Sequence, residues 1–386
     1  MVLQKIRARL RSPTVMSAPL RGLLVILAAL VIDRLGRHIL LPGLRPGLFV
    51  ELSGGPAAAL ERLSIFSLGV TPIFSALLLC EVARLGSGSL SRWQHASRAN
   101  ARAFNVFVTL GALLITAMQG HGYARALENM PMLADEPGWV FRTEIIASFV
   151  AATAVLAWIG DIVSRGALVS GFWLLFVAPA LAQVPWTLAD SFALFWEGGI
   201  ALQDLVIAWA FPVLAVLALV VAGQAGDRQQ RPGGRRRRAD FRLPAILDVW
   251  PPFLASATSG LIAGAIALAL RDASWLALDA PLSFGQPLHV VLVATLIGVF
   301  TALRAPGLKT FAPVPAAPRQ VWLTALAQIG ICAASEILAV KLGLPFVANG
   351  PVLIAIVALA LGLLSSWRWQ TDLPVGPQRS APPERP

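Results

Sequence analysis

Ten long apolar stretches alternate with shorter polar segments along the chain. They lie near residues 20–40, 60–83, 103–120, 143–163, 167–187, 201–223, 249–270, 287–304, 321–341 and 344–367. A helix of about 20 mostly apolar residues is long enough to cross the hydrocarbon core of a bilayer. The pattern therefore predicts an all-α fold, a polytopic membrane protein with ten transmembrane helices, which we number as spans 1 to 10.

Basic and acidic residues alternate between the segments that connect these spans. The N-terminus, the even-numbered loops and the tail are basic, and they include Lys5, Arg7, Arg84, Arg92, Arg98, Arg102, Arg228, Arg231, Arg304, Lys309, Arg319, Arg368 and Arg379. The odd-numbered loops hold Glu128, Asp135, Glu136, Asp190, Glu197, Asp204, Asp272 and Asp279. Lysine and arginine accumulate in cytoplasmic loops, so this alternation predicts that both termini are cytoplasmic.

The composition excludes an ordinary soluble domain. The chain is 57% apolar and only 13% charged, whereas soluble domains carry about 25% charged residues. The net charge of +11 comes from basic loops, the densest being 223–242 with Arg235, Arg236, Arg237 and Arg238. No aromatic residue interrupts that arginine run, so we interpret it as a contact for anionic lipid or an acidic cytoplasmic partner. Nucleic-acid binding is not predicted.

Residues suited to catalysis or metal binding are scattered. Cys80 and Cys332 both lie inside apolar runs. They are interpreted as small buried hydrophobic residues, with a disulfide as the alternative. The four histidines are isolated from one another, and no serine–histidine or paired-carboxylate arrangement marks one helix face. We therefore expect no metal, no cofactor and no enzyme activity.

Glycine and proline interrupt the region of span 2. Gly54, Gly55 and Pro56 come first, and Gly69 and Pro72 follow within the same apolar region. Broken helices at membrane depth are tolerated only where the freed backbone groups face protein or a water-filled cavity. The pattern predicts a helix broken around a central cavity, with an ordinary proline-kinked helix as the alternative.

Six strings of the sequence, at residues 34–43, 52–85, 98–120, 157–185, 243–256 and 344–357, resemble in order the SecY family of protein-conducting channels. The most specific is residues 52–85, where the similarity includes Ser53, Gly54, Gly55, Leu63, Ser64, Ile65, Phe66, Leu68, Gly69, Pro72, Ser75 and Ala76. In residues 157–185, the similar positions are Trp158, Gly160, Ile162, Gly166, Gly171 and Pro185. The resemblance covers most of the membrane region and is strongest over spans 1 to 5.

This resemblance implies two inverted halves of five helices, residues 20–187 and 188–367, with the functional site at their interface. It also implies a cytoplasmic segment at 1–19, a cytoplasmic loop at 223–242 and a disordered cytoplasmic tail at 368–386. The implied function is passage of unfolded polypeptide across the membrane and sideways release of apolar segments into lipid. The implied location is the bacterial inner membrane.

The resemblance also implies site residues. A pore ring of apolar side chains, which blocks hydrated ions, maps to Val70, Phe74, Phe176, Ala180, Phe253 and Ile354. A plug at about 52–63 includes Ser53, Gly54, Gly55 and Leu60, and a lateral gate includes Pro72, Ser75, Glu81, Pro251 and Ser256. The family favours aliphatic ring residues, so aromatic packing is the alternative for the phenylalanines. Glu81 stands where the family commonly has glutamine, and a pair with Arg84 at the membrane interface is its alternative.

Partners are implied in the same way: a SecE-like and a SecG-like small membrane subunit, unfolded secretory or membrane polypeptides, and the lipid bilayer. The eighth loop, 304–320, is short and lacks the family's usual pattern, so docking of the motor SecA or a ribosome stays open. A specialised paralogue no longer driven by SecA is one alternative. A secondary transporter for a small solute is another, with Asp33, Glu81, Glu144 and Glu336 as the nearest candidates for ligands at the midplane.

Overall fold

The computed structural model describes residues 18–45, 61–130, 137–165, 169–225, 248–269, 284–311, 318–343 and 349–371. Eleven helices lie within these ranges. They are α1 (Ala18–Gly36), α2 (Thr71–Gly86), α3 (Gly88–Ala96), α4 (Arg98–Glu128), α5 (Trp139–Arg165), α6 (Gly171–Trp196), α7 (Leu202–Ala225), α8 (Trp250–Ala269), α9 (Pro287–Phe311), α10 (Pro318–Leu342) and α11 (Gly350–Thr371).

Each of the ten predicted spans overlaps one of these helices, and the additional helix is the short polar α3. Six helices (α4, α5, α6, α7, α9 and α10) are long and apolar enough to cross a membrane. The number rises to seven if α2 and α3, which meet at a bend of 111°, form one span. The chain is a multi-pass membrane protein, and the count of ten spans stays a prediction.

Several helices extend beyond the ends that hydropathy gives to the spans. Arg304 and Lys309, which the sequence places in the eighth loop, lie inside α9, and Glu128 lies inside α4. In the same way, α6 continues to Trp196 and α11 continues to Thr371, four residues into the predicted tail. Helices can continue past the hydrocarbon because the backbone hydrogen bonds are satisfied within the helix in either solvent.

The helices pack in two groups. In the first half, α4 packs against α2 and α5, and α5 packs against α6. In the second half, α9 packs against α8 and α10, and α7 packs against α10. The halves meet where α11 packs against α6 and α1. A single buried apolar cluster runs through both groups, with Leu175, Ile297 and Ile354 among its most buried members.

A glycine–serine joint occurs once in each half. The amide of Gly171, at the start of α6, donates to Ser164 Oγ near the end of α5 (2.9 Å). The amide of Gly350, at the start of α11, donates to Ser335 Oγ of α10 (3.1 Å). These are the fourth and fifth helices of each predicted half, so the repeated joint is what an inverted repeat leads us to expect.

Close backbone contact explains why glycine occupies both joints. A Cβ on Gly171 would lie 2.0 Å from the carbonyl oxygen of Gly160. A Cβ on Gly350 would lie 2.7 Å from Ser335 Oγ and 2.8 Å from the Cα of Cys332. Both distances are shorter than van der Waals contact, so a larger residue would push the paired helices apart.

The chain turns sharply before α2. Residues 63–70 form a series of turns. One of them contains Gly69, whose φ of +52° favours glycine. The amide of Leu41 donates to the carbonyl of Leu63 (3.0 Å), which ties these turns to the segment after α1. Span 2 therefore begins at Thr71 and not at residue 60, and the predicted break at Gly69 is present. Pro72 does not interrupt the helix; it lies in the first turn of α2, where no amide hydrogen is required.

Two groups of predicted residues lie outside the described part of the chain. One is the plug group, Ser53, Gly54, Gly55 and Leu60, together with Pro56. The other is the arginine run, Arg235, Arg236, Arg237 and Arg238. The two cysteines are described, and both Cys80 and Cys332 are buried free thiols, as predicted.

Candidate pore constriction and lateral gate

Three phenylalanines from three different helices meet in the middle of the molecule. Phe74 of α2 stacks on Phe176 of α6, with ring centroids 5.0 Å apart. Phe253 of α8 presents an edge to both rings, at 5.2 Å from Phe74 and 5.4 Å from Phe176. Offset stacks and edge-to-face pairs at these distances are the favourable geometries for aromatic rings. Three of the six residues predicted for the pore ring are thus in mutual contact.

The other three predicted ring residues lie nearby on the same helices or on α11. Val70, at the N-cap of α2, and Ile354 of α11 are buried in the apolar cluster that Phe253 also joins. Ala180 lies one turn beyond Phe176 on α6 and is half-buried. The pore ring itself stays a prediction for all six residues.

Three further aromatic residues, which were not among the predicted ring positions, contact these rings. Trp173 of α6 contacts Trp250 (5.4 Å) and Phe253 (5.5 Å) of α8, and Phe172 lies 6.0 Å from Phe176. Trp173 and Trp250 each precede a predicted ring residue by three positions, and Phe172 precedes Phe176 by four. That spacing places them on the same helix faces, so helical periodicity could have identified them.

Aromatic rings make up most of this candidate constriction. Phe74 and Phe176 are half-buried and Phe253 is almost fully buried, at 7% exposed. An apolar constriction blocks ions because they cannot exchange their hydration shell for protein ligands there. Aromatic rings also rotate about only two side-chain bonds, so each contact between helices depends on the orientation of a stiff plane.

The predicted gate residues lie on α2 and α8. Pro72 and Pro251 are buried. Ser75 Oγ donates to the carbonyl of Thr71 in its own helix (3.0 Å), and Ser256 on α8 is exposed. Because Ser75 bonds to its own helix, it adds no polar contact between the two faces of the gate.

Glu81 is the centre of a buried ionic network. Its Oε1 accepts from Arg84 Nη1 (2.7 Å), and its Oε2 accepts from Arg304 Nη1 of α9 (2.5 Å). Arg304 Nε donates in turn to Asp248 Oδ2, two residues before α8 (2.6 Å). The predicted pair with Arg84 is present, but Glu81 is 7% exposed and not solvated. Nothing in the sequence singled out Arg304 and Asp248 as site residues.

Two hydrogen bonds from residues of the second half hold Asp248 in place. Its Oδ1 accepts from the amide of Trp250 (3.2 Å), and its carbonyl accepts from Gln328 Nε2 of α10 (2.6 Å). Gln328 is 2% exposed. The network therefore joins α2 of the first half to α8, α9 and α10 of the second.

The candidate ligands of a small-solute transporter lie in separate places. Asp33 of α1 pairs with Arg37 (3.0 Å), Glu336 of α10 pairs with His289 (2.8 Å), and Glu144 is exposed on α5. Each buried carboxylate already has a cationic or imidazole partner of its own. The arrangement gives no shared midplane site of the kind that a coupled transporter needs.

Comparison with known proteins identifies the family. The model of the SecY family matches residues 64–305, a range that contains Phe74, Phe176, Phe253 and the ionic network. The chain belongs to the SecY family. The protein translocase subunit SecY of Escherichia coli (strain K12) is 27% identical over 312 residues, which cover 72% of this chain and 70% of that protein. The SecY of Buchnera aphidicola subsp. Acyrthosiphon kondoi is also 27% identical, and 86% of its length is covered.

Solved structures show the same fold. The Sec61 chain of the canine ribosome–channel complex aligns with a TM-score of 0.54 and 12% identity, over 90% of this chain and 92% of that one. A SecY structure determined to study the plug domain aligns with a TM-score of 0.52 and 14% identity, over 89% and 91% of the two chains. The predicted SecY membership and SecY-like helical fold are confirmed.

Proposed function

We propose that this chain is the channel subunit of a protein translocase, which moves unfolded polypeptides across a membrane and releases apolar segments into it. The observation that carries the proposal is the meeting of Phe74, Phe176 and Phe253 from α2, α6 and α8. Together with Val70 and Ile354, which are buried in the neighbouring apolar cluster, these residues would form the apolar seal of the channel. SecY membership and the SecY-like fold support the same function.

In this mechanism the protein carries out no covalent step. The seal excludes ions while the channel rests, and a passing polypeptide displaces the rings by moving α2, α6 and α8 apart. Phenylalanine rings are larger and stiffer than the aliphatic side chains that the family favours. Each displaced ring therefore needs more helix movement, while the closed state gains the stacking and edge contacts between rings.

Lateral release would occur between α2 and α8, where Phe74 and Trp250 lie 6.3 Å apart. Residues 52–63 would act as the plug; Leu63, the last of these, is bonded to Leu41 after α1. Small SecE-like and SecG-like subunits, a bacterial inner-membrane location and cytoplasmic termini belong to the same proposal. The short connection between α9 and α10 favours a docking surface that differs from that of the longer relatives.

Photo-crosslinking of a stalled secretory polypeptide tests the proposed channel. A photoreactive amino acid is placed at Phe74 or Phe253, and at Phe107 as a matched control, because Phe107 is 68% exposed on the outer face of α4. We expect crosslinks to the stalled polypeptide at Phe74 and Phe253, and crosslinks only to lipid at Phe107. Equal labelling at all three positions, or none at Phe74 and Phe253 with several substrates, would overturn the proposal.

A further inference from the structure

Arg304 connects the two halves at the end of α2 that bends into α3. It belongs to α9 in the second half, and its Nη1 donates to Glu81 of the first half (2.5 Å). Its Nε donates to Asp248, which Gln328 and Trp250 fix to the start of α8. Asp248 cannot follow α2 if α2 moves, so the Arg304–Glu81 contact must break when α2 separates from α8.

The charges in this network balance within each half. Arg84 and Glu81 form one pair on α2 (2.7 Å), and Arg304 and Asp248 form another in the second half (2.6 Å). Separation of the halves therefore produces two neutral pairs and no isolated buried charge. Isolated buried charges are very costly, whereas paired ones are tolerated. The contact can thus resist separation and still break reversibly.

Burial makes this contact stronger than a surface ion pair. The side chains of Glu81 and Arg304 are 9% and 14% exposed. Charge-assisted hydrogen bonds between such groups are short and depend on direction, so they weaken steeply when the partners separate. The aromatic contacts between the same helices are less directional, because rings can slide over one another and remain in contact.

We propose that Arg304 is a specificity-determining residue of the lateral gate: its contact with Glu81 sets the minimum apolarity that a segment needs in order to leave the channel sideways. This inference rests on the proposed channel function. A segment enters the bilayer when the free energy of burying its apolar side chains exceeds the cost of separating α2 from α8. The Arg304–Glu81 contact raises that cost, so only the more apolar segments are released.

A neutral variant tests whether the contact holds the gate closed. Glu81→Gln, Arg84→Gln, Asp248→Asn and Arg304→Met are combined so that no charge of the network is left without a partner. Spin labels are attached at Leu79→Cys on α2 and Leu261→Cys on α8, both exposed positions, after Cys80→Ala and Cys332→Ala. We expect the distance distribution between the labels to shift to longer distances than in the parent. An unchanged distribution would overturn the proposal.

A second buried polar pair that involves α9 provides a matched control. His289 and Glu336 are buried and 2.8 Å apart, but both belong to the second half. His289→Gln combined with Glu336→Gln removes a buried pair that joins α9 to α10. The double variant leaves Glu81, Arg304 and Asp248 unchanged. We expect the label distances to remain those of the parent. A shift as large as that of the gate variant would show that any lost buried pair loosens the molecule, which would contradict the proposal.

Lateral release is then measured with reporters that carry an alanine segment with increasing numbers of leucine residues. We expect the neutral gate variant to release half of the reporter with about three fewer leucines than the parent needs, because one leucine adds little to insertion. A reporter without the segment should cross the membrane equally well in both. An unchanged leucine requirement in a working channel overturns only the role of Arg304. Failure of the parent to move any reporter would instead overturn the channel function on which that role rests.

Discussion

The contacts within each half differ from the contacts between the halves. Within a half, backbone meets backbone: Gly171 lies against Gly160 so closely that even a methyl group would not fit. Between α2 and the second half, the contacts are made by the tips of long side chains, Phe74 with Phe253 and Glu81 with Arg304. The first kind of contact fixes one geometry, and the second kind can be broken and made again.

This difference explains how one chain can be both rigid and able to open. A glycine joint cannot separate by a small amount without losing its hydrogen bond, so the helices of one half move together. Side-chain contacts can adjust by rotation about their own bonds, so two rigid groups can move apart along a defined face. Variants at the glycine–serine joints should therefore have a large effect on folding. Variants at the contacts between α2 and the second half should have a small effect on folding.

The largest effect is expected from Gly171→Ala. The new Cβ would lie 2.0 Å from the carbonyl oxygen of Gly160, and because that atom belongs to the backbone, α5 and α6 must move apart. Overpacking usually costs about 1–3 kcal/mol, and we expect this variant to reach or exceed about 3 kcal/mol because no side chain can move aside. The measurement is the thermal stability of purified protein in mild detergent.

Gly122→Ala is the matched control for that variant. A Cβ on Gly122 in α4 would meet no atom of the described residues within 4 Å, and alanine favours the helix more than glycine does. We expect equal or higher stability. A melting temperature for Gly171→Ala as high as that of the control would contradict the close joint.

A smaller loss is expected when the serine of either joint is removed. Ser164→Ala leaves the amide of Gly171 without its acceptor, and Ser335→Ala does the same to Gly350. An unsatisfied buried donor costs about 1–3 kcal/mol. The two losses should add in the double variant, because the joints lie in different halves. Thr109→Ala is the control, because the Thr109 hydroxyl donates to a carbonyl of its own helix. Equal losses of stability in the three single variants would contradict a special role for the joints.

The helices and the positions of three phenylalanines that meet could be predicted from the sequence. Long apolar stretches specify membrane helices because the bilayer requires them to satisfy their own backbone hydrogen bonds. The family's ring positions then identified Phe74, Phe176 and Phe253, which do meet. The helices follow from the local pattern of apolar residues. The ring positions follow from the resemblance to the SecY family.

The ionic network could not be predicted in the same way. Arg304 was assigned to a basic loop because hydropathy treats an arginine as the end of a span. It lies inside α9, where Glu81 and Asp248 neutralise its charge. Glu81 and Arg304 are 223 residues apart in the sequence. No local pattern around either residue indicates that the two are in contact. The start of α2 at Thr71 was predicted only in part: Gly69 indicated a break, but hydropathy placed the start of span 2 near residue 60.

A contact between the halves should matter more to the seal than to folding. Phe74→Ile removes the edge contact with Phe253 and the stacks with Phe172, Phe176 and Trp250. We expect a stability cost of only about 1 kcal/mol, because Phe74 is half-buried and isoleucine remains apolar. Ion leakage through reconstituted vesicles should rise, because the smaller side chain leaves a gap beside the two remaining rings. Phe107→Ile on the exposed face of α4 should leave leakage unchanged. A Phe74 variant as tight as the parent would show that these rings pack the core and do not seal a channel.

The smallest effect is expected at the exposed pair of Asp161 and Arg165 on α5. Their side chains are 53% and 74% exposed, and pairs of this kind contribute about 0.5 kcal/mol or less because water and salt screen them. Asp161→Asn removes one negative charge from the chain, as Glu81→Gln does, but in a solvated place and within one helix. We expect unchanged stability, unchanged ion leakage and unchanged distances between labels on α2 and α8. If Asp161→Asn instead opened the gate, the total charge of the protein would control α2, and the buried contact between Glu81 and Arg304 would not be needed to explain how the halves are held together.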